Sequence, residues 1–151
     1  ADPRWADQLR RNNADSTERG LLRVVRSDMF EFRFPRESFR VVSNPPFGES
    51  TSLLRLLLER PELLVSRVDV VLQREVARKR AAAPPTSLLS AAWAPWWEVK
   101  LGRSIARRAF DPIPRVDAAL VHFRRRVDPV LPSWLAREFV EVLRWRWERG
   151  P

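Results

Sequence analysis

The chain has no cysteine, which excludes disulfides, zinc fingers, iron–sulfur clusters and thiol nucleophiles together. Its single histidine, His122, gives no basis for a histidine-built metal site or a Ser-His-Asp triad. Lying inside an apolar run, His122 reads as structural rather than catalytic. No apolar run approaches the roughly 18 residues of a membrane span, and the chain does not open as a signal peptide does. The expectation is a soluble, cytoplasmic protein. Glycine is scarce, at 4 of 151 residues, with no internal repeat and no low-complexity segment. Hydrophobic residues at 44% and charged residues at 31% leave room for a packed core, and the length suits one domain.

Lysine is almost absent as well. Lys and Arg total 28, and with only Lys79 and Lys100 as lysines, 26 are arginine. Arginine's planar fork suits phosphates and base edges and stacks on aromatic rings. Codon bias in a GC-rich genome accounts for much of the choice of Arg over Lys, but less well for the net charge of +9. That charge is graded: residues 1–50 carry 9 basic and 8 acidic side chains, 51–100 carry 8 and 5, and 101–151 carry 11 and 6. Such a gradient is the footprint of a polyanion binder. A membrane surface is the competing polyanion, ranked lower because no long basic amphipathic helix stands alone.

Short apolar runs alternate with helical stretches. Trp5 to Asn12 predicts the remainder of a helix, with Pro3 near its start. Asn12 to Gly20 reads as polar and turn-like. Leu21 to Val25 and Phe39 to Val42 read as buried strands. Thr51 to Arg60 has helical spacing, with Ser50 or Thr51 as candidate caps. Val65 to Leu72 predicts a valine-rich strand, Glu75 to Ala83 a helix ending before Pro84-Pro85, and Leu88 to Trp93 a short helix. Trp96 to Ile105 predicts a strand with Trp97, Val99 and Leu101 on one face, and Ala118 to Phe123 another. Pro132 to Glu148 predicts a final helix with Leu135, Phe139 and Val142 along its apolar stripe. The class is α/β with a mostly parallel, doubly wound sheet. The last two strands lack an intervening helix, which predicts an antiparallel edge pair. The pattern opens inside a helix, with no strand or glycine-rich turn before it.

Two loops carry chemistry. Val41-Val42-Ser43-Asn44-Pro45-Pro46-Phe47-Gly48 ends an apolar strand in an amide, two prolines and an aromatic. In a doubly wound sheet, ligands bind at the carboxyl ends of strands. The prolines fix the backbone, so the Asn44 side-chain oxygen and the Pro45 carbonyl can accept hydrogen bonds from one exocyclic amine. Phe47 offers a flat surface for a base. An ordinary strand-terminating turn would use the same residues. The second loop, Phe110-Asp111-Pro112-Ile113-Pro114-Arg115-Val116-Asp117, runs directly into the strand from Ala118.

This second block resembles the F-x-P-x-P-x-V-D signature of rRNA adenine N(6)-methyltransferases of the Erm and KsgA family. Asn44-Pro45-Pro46-Phe47 resembles the same family's N-[ILP]-P-[YF] motif, and Val70-Val71-Leu72-Gln73-Arg74-Glu75-Val76-Ala77 its strand-to-helix segment. Trp93-Ala94-Pro95-Trp96-Trp97-Glu98 is similar to the Erm branch in actinomycete-like sources. The resemblance spans roughly Ala1 to Arg126. It implies a class I methyltransferase with a Rossmann-like sheet lacking its first βα unit: a partial catalytic domain over 1–127 and a C-terminal helical segment over 128–151.

The resemblance further implies S-adenosylmethionine as methyl donor, no metal, and an adenine of large-subunit ribosomal RNA as acceptor. The expected outcome is macrolide–lincosamide–streptogramin resistance, from a monomer with no obligate protein partner. Asn44 and Pro45 would hold the adenine amine for in-line attack on the sulfonium methyl, while Phe47 and Phe110 grip the flipped base. Simple core packing is the alternative for Phe110. Asp28 matches the acid that accepts from the donor's adenine amine, and the Met29 backbone would meet the same ring; Asp28 as a loop cap is the alternative. Ala1-Asp2-Pro3-Arg4 looks like the tail of the ribose-binding segment, and the glycine-rich E-x-G-x-G loop is absent. Pro45 stands where the family more often has Leu or Ile. Asn-Pro-Pro-[YF] also marks DNA-adenine and protein-glutamine N-methyltransferases, and a non-catalytic RNA-binding remnant is the reading from another class. Candidate RNA contacts are Arg74, Arg78, Lys79, Arg80, Lys100, Arg103, Arg107 and Arg108. Trp93, Trp96 and Trp97 are expected to pack against the sheet rather than stack on RNA.

Overall fold

The computed structural model describes residues 3–60 and 62–149. The chain divides into two compact units, one ending at Phe34 and the other beginning at Pro35. In the first, α1 (Pro3–Asn12) carries an Asp7–Arg10 ion pair one turn apart at 2.8 Å and ends in Arg10 and Arg11, whose charge suits a helix C-terminus. The polar stretch after it is not a turn. Ala14–Glu18 forms a second helix, α2, ended by Gly20 at φ +69°. The Leu21 amide bonds the Ser16 carbonyl and the Gly20 amide bonds Thr17, a closure that needs the left-handed residue. Because α2 buries nothing, its helix leaves no apolar period to read.

The strand expected at Leu21–Val25 does not form. Its first two amides, of Leu21 and Leu22, both turn back to the Ser16 carbonyl, and the Val24 carbonyl accepts from Arg10 Nη2 at 3.3 Å. Leu21 stays 71% exposed. An apolar run is a strand only where a neighbouring strand takes up its backbone groups. Here helix termini and a side chain take them instead.

The second unit holds β1 (Phe39–Ser43), α3 (Ser50–Leu58), β2 (Val65–Gln73), α4 (Arg74–Ala81), α5 (Leu88–Trp93), β3 (Trp97–Ile105), β4 (Ala118–Arg125) and α6 (Ala136–Glu148). The strand order is β1-β2-β4-β3. β1 and β2 are parallel; β4 runs antiparallel to both β2 and β3. The antiparallel pair therefore stands as expected, with the later strand inserted next to β2 and the earlier one outside it. On β1, Val42 faces outward and is exposed, not buried, because Arg40 and Val42 point away from the packed side.

Cross-strand register puts Phe123 between Val68 and Val99, and Val70 beside Val121. Val68, Val70, Val121 and Phe123 are fully buried. Burial at this level contributes about 1.5–3 kcal/mol per large apolar side chain. Two indoles tie the helices to this face. Trp97 Nε1 donates to the Leu58 carbonyl at the end of α3 at 3.2 Å. Trp93, edge-on to Phe123, donates to Glu59 at 3.1 Å. Both rings are buried, as the sequence led one to expect. The face expected along β3 fades after Val99, since a register irregularity between Leu101 and Ser104 leaves Leu101 exposed. On α6 the half-buried stripe runs through Phe139, Val140 and Leu143, while Val142 faces outward. No helix among the described residues is long and apolar enough to cross a membrane.

The opposite face of the sheet is polar. Arg67 and Asp69 on β2 meet His122 on β4: Arg67 Nε donates to Asp69 at 2.9 Å, and His122 Nδ1 lies 2.5 Å from Asp69 Oδ1. Burial acts to raise the Asp69 pKa. Hydrogen bonds from His122 and Arg67, with the charge of Arg67, outweigh it and hold the carboxyl below the ordinary range. Gly102 on β3 makes room for the ring, because a Cβ there would lie 2.8 Å from His122 Nε2 and 3.0 Å from the Leu120 carbonyl oxygen. Gly102→Ala is expected to destabilise the unit by about 1–3 kcal/mol through overpacking, read as a lowered melting temperature. Asp69→Asn should cost stability at pH 6, and that cost should vanish as pH falls below about 3.9 and through the lower folded value. Denaturant unfolding at both pH values checks this; a cost independent of pH would mean the carboxylate charge contributes nothing.

Candidate target-amine site

β1 and β2 run in parallel and β4 returns between β2 and β3, so one end of the sheet gathers Ser43, Gln73 and Ala118. The residues that follow or precede these strand ends form the candidate site. After Ser43 the chain passes through exposed Asn44 and buried Pro45 into a 3-10 turn, Phe47–Glu49, that leads into α3. The turn is closed twice. The Glu49 amide bonds the Pro46 carbonyl at 2.9 Å, and Ser50 Oγ donates to the Phe47 carbonyl at 2.9 Å. Pro45 thus anchors the backbone in the core while the Asn44 amide stands free at the strand end. That division of labour requires a residue that lacks an N–H and tolerates burial before the turn.

Phe110 comes from the loop before β4 and meets Phe47 edge-to-face, ring centroids 6.4 Å apart at 68°. The two aromatics singled out from motifs more than sixty positions apart are neighbours. Both rings are half-buried, so each keeps some free surface. The loop is fastened by Asp117. Its carbonyl accepts the Arg74 amide at 2.9 Å, its Oδ1 accepts the Arg107 amide at 3.0 Å, and its Oδ2 lies 3.6 Å from Arg74 Nη1. Sequence reasoning quoted Asp117 but gave it no role. The signal was there: an acid one residue before a strand that must be joined to its neighbour's end.

The basic candidates separate. Arg74 and Arg107, with Arg115, Gln73 and Asp117, line a cavity of about 350 Å³ at this end of the sheet. Arg115 was not among the expected contacts. Arg108 shares the 3-10 turn Arg107–Ala109, exposed. Arg74 is shared between Asp117 and Glu75, and Arg78 pairs with Glu75 at 3.4 Å. Lys100 and Arg103 lie exposed along β3. Lys79 and Arg80 do not join this group; they line a different cavity, of about 800 Å³, with Trp93 and Trp97. In the first unit, Asp28 is exposed and spends one carboxylate oxygen on the Phe30 amide at 2.8 Å. The loop-cap role is therefore real, and the second oxygen remains available to an amine. Met29 beside it is half-buried. His122 is engaged with Asp69, and no group of three or more Asp, Glu or His among the described residues is placed to hold a metal. Ala1 and Asp2, read as the tail of a ribose-binding segment, lie outside the described residues, as do Gly150 and Pro151.

The chain is similar to known proteins in sequence and in fold. A family profile described as ribosomal RNA adenine dimethylase matches residues 2–145. An rRNA adenine N-6-methyltransferase of Corynebacterium diphtheriae is 38% identical over 118 residues, covering 77% of this chain and 45% of that protein. The mycinamicin-resistance protein MyrB of Micromonospora griseorubida is 34% identical over 143 residues, covering 95% and 44%. The crystal structure of the 23S rRNA methyltransferase ErmE superposes with a TM-score of 0.83 at 28% identity, over 99% of this chain and 59% of that one. The chain thus spans about half the length of the relatives it matches.

Asp117→Ala removes the acceptor of the Arg107 amide and one partner of Arg74. The expected effect is a loss of about 1 kcal/mol of local stability, since the group is part-exposed. Amide hydrogen exchange at Arg107 should rise roughly five-fold, with the strands unaffected.

Proposed function

The chain belongs to the ribosomal RNA adenine dimethylase family, and from that premise we propose that it serves methyl transfer from S-adenosylmethionine to the exocyclic amine of an adenine in 23S ribosomal RNA. Resistance to macrolide, lincosamide and streptogramin antibiotics is the proposed consequence, in keeping with the name of the relative MyrB. The observation that carries the reading is the meeting of Phe110 with Phe47, three residues after exposed Asn44 at the end of β1. A flat base held by the two rings would present its amine to the Asn44 carbonyl oxygen and the Pro45 carbonyl. Neither acceptor is basic enough to deprotonate a neutral amine. Together they hold both amine hydrogens and leave the nitrogen lone pair facing outward, so catalysis is by positioning.

The donor supplies an electrophilic methyl on a positively charged sulfur. Asp28, through its second carboxylate oxygen, and the Met29 backbone are the proposed contacts for its adenine; Asn44, in the other unit, is proposed as a donor contact in its own right. The exposure of Asp28 and its half-used carboxylate fit an amine donor. Arg74, Arg78, Lys100, Arg103, Arg107 and Arg108 are the proposed contacts to RNA phosphates, where cations bind without reading sequence. The proposed division is a catalytic segment over 1–127 and a helical segment over 128–151, acting as a monomer in the cytoplasm.

The test is transfer of labelled methyl from S-adenosylmethionine by the chain expressed together with its adjoining genomic sequence. Label should enter 23S RNA, and Asn44→Ala should lower the rate by about 100-fold or more through loss of positioning. Label in DNA adenine or protein glutamine would assign the other amino-methyltransferase chemistries. RNA binding without any donor binding would assign a non-catalytic remnant.

A further inference from the structure

The far end of the sheet, away from Asn44, gathers the starts of β1, β2 and β3 and the end of β4, with Trp97 paired to Arg125. Below it, between α3, α4, α5 and α6, lies the cavity of about 800 Å³, within the range of small-molecule sites. Its walls carry the cations Arg55, Lys79, Arg80 and Arg144. The two acids on the same walls are already engaged: Glu59 accepts from Trp93 Nε1, and Glu141 pairs with Arg137 at 3.3 Å. With Arg125 and Arg137 the lining holds six cations against these two carboxylates, so a net positive charge remains on the walls.

Two further observations point to a ligand. Arg80 Nε and Trp96 Nε1 are buried donors without a partner. Burying an unpaired donor costs about 1–3 kcal/mol, so such groups are rare unless something else accepts from them. Arg80 spends Nη1 on Ser87 at 3.1 Å and lies 5.6 Å over the Trp93 ring, so its guanidinium is held in one orientation. Burial, and then the like charge of Arg55, lower its pKa, a conflict that an anion between the two would relieve. The apolar part of the lining sets three indoles, Trp93, Trp96 and Trp97, among leucine, alanine and valine side chains. A carboxylate alone would answer the charge but make no use of indoles. A planar ring joined to a phosphate uses both.

We propose that this cavity binds a nucleotide unit, its phosphate on Arg55, Arg80 and Arg144 and its base against the indole-lined wall. The ligand is either a free mononucleotide or one nucleotide of a polynucleotide. The site stands at the opposite end of the sheet from the target-amine site and is independent of methyl transfer, so neither reading fails with the other.

The chain has 7 tryptophans and no tyrosine, so its near-ultraviolet emission reports indoles alone. Adenosine monophosphate and a short oligoadenylate are titrated separately into the protein. Saturable quenching is expected with at least one of them. Arg55→Gln combined with Arg144→Gln should weaken it at least ten-fold with an unchanged near-ultraviolet circular dichroism spectrum. Both arginines are exposed and make no ion pair among the described residues, so folding should survive. Asn44→Ala should leave the titration unchanged. Response to the mononucleotide places the source among free nucleotides; response to the oligomer alone places it in a polynucleotide. The proposal is overturned if neither probe saturates, if the double variant binds as well as the parent, or if a short oligoglutamate competes equally.

Discussion

The antiparallel pairing of β4 with β2 is the constraint on which the rest of the second unit depends. Seven consecutive registered positions, from Arg67 opposite Arg124 to Gln73 opposite Ala118, align the two strands without a bulge. A slip of one residue would turn Val68, Val70, Phe123 and Val121 out of the core and bring Arg67 and Asp69 into it. The same register delivers Asp117 to the end of β2, where it can clasp Arg74 and Arg107. Through that clasp the loop bearing Phe110 is brought to Phe47. The chemistry of one loop therefore rests on side-chain packing along the whole length of two strands.

The sequence was most legible where burial and hydrogen bonding agree. β2 and β4 carry β-branched or aromatic residues at the period that the core imposes, and both were readable to within two residues of their observed ends. The site at the end of β1 was legible for another reason: Asn44, Pro45 and Phe47 are residue types with narrow backbone or hydrogen-bonding uses, so their order carries meaning without a core. Legibility failed where only one of the two conditions held. Leu21 to Val25 is apolar, but its first two amides are taken by Ser16 and its Val24 carbonyl by Arg10, and α2 is hydrogen-bonded but buries nothing. Val142 lies one position from the true stripe of α6, an error that a helix of 13 residues with Trp and Val on several faces invites. Asp117 escaped notice because two of its three partners are backbone amides, which no side-chain pattern announces.

The arginine excess, treated as a gradient along the chain, becomes a matter of place in three dimensions. Arg74, Arg107 and Arg115 stand at one end of the sheet; Arg55, Arg80 and Arg144 at the other. Elsewhere on the sheet Arg67 pairs with Asp69, and Arg124 and Arg126 share Glu98. Pairing of this kind leaves the excess positive charge concentrated on the walls of the two cavities rather than spread evenly over the surface.

The position of β4 also bears on how the chain is made. Strands are synthesised in the order 1, 2, 3, 4, yet the last one belongs inside the sheet, between β2 and β3. Until residues 118–125 have left the ribosome, β2 has one unpaired edge and β3 has no partner at all. Open edges of this kind invite pairing with other chains. The nascent protein thus passes through a stretch of translation in which half of its sheet is an adhesive surface, and the arrival of Phe123 both closes that surface and completes the core.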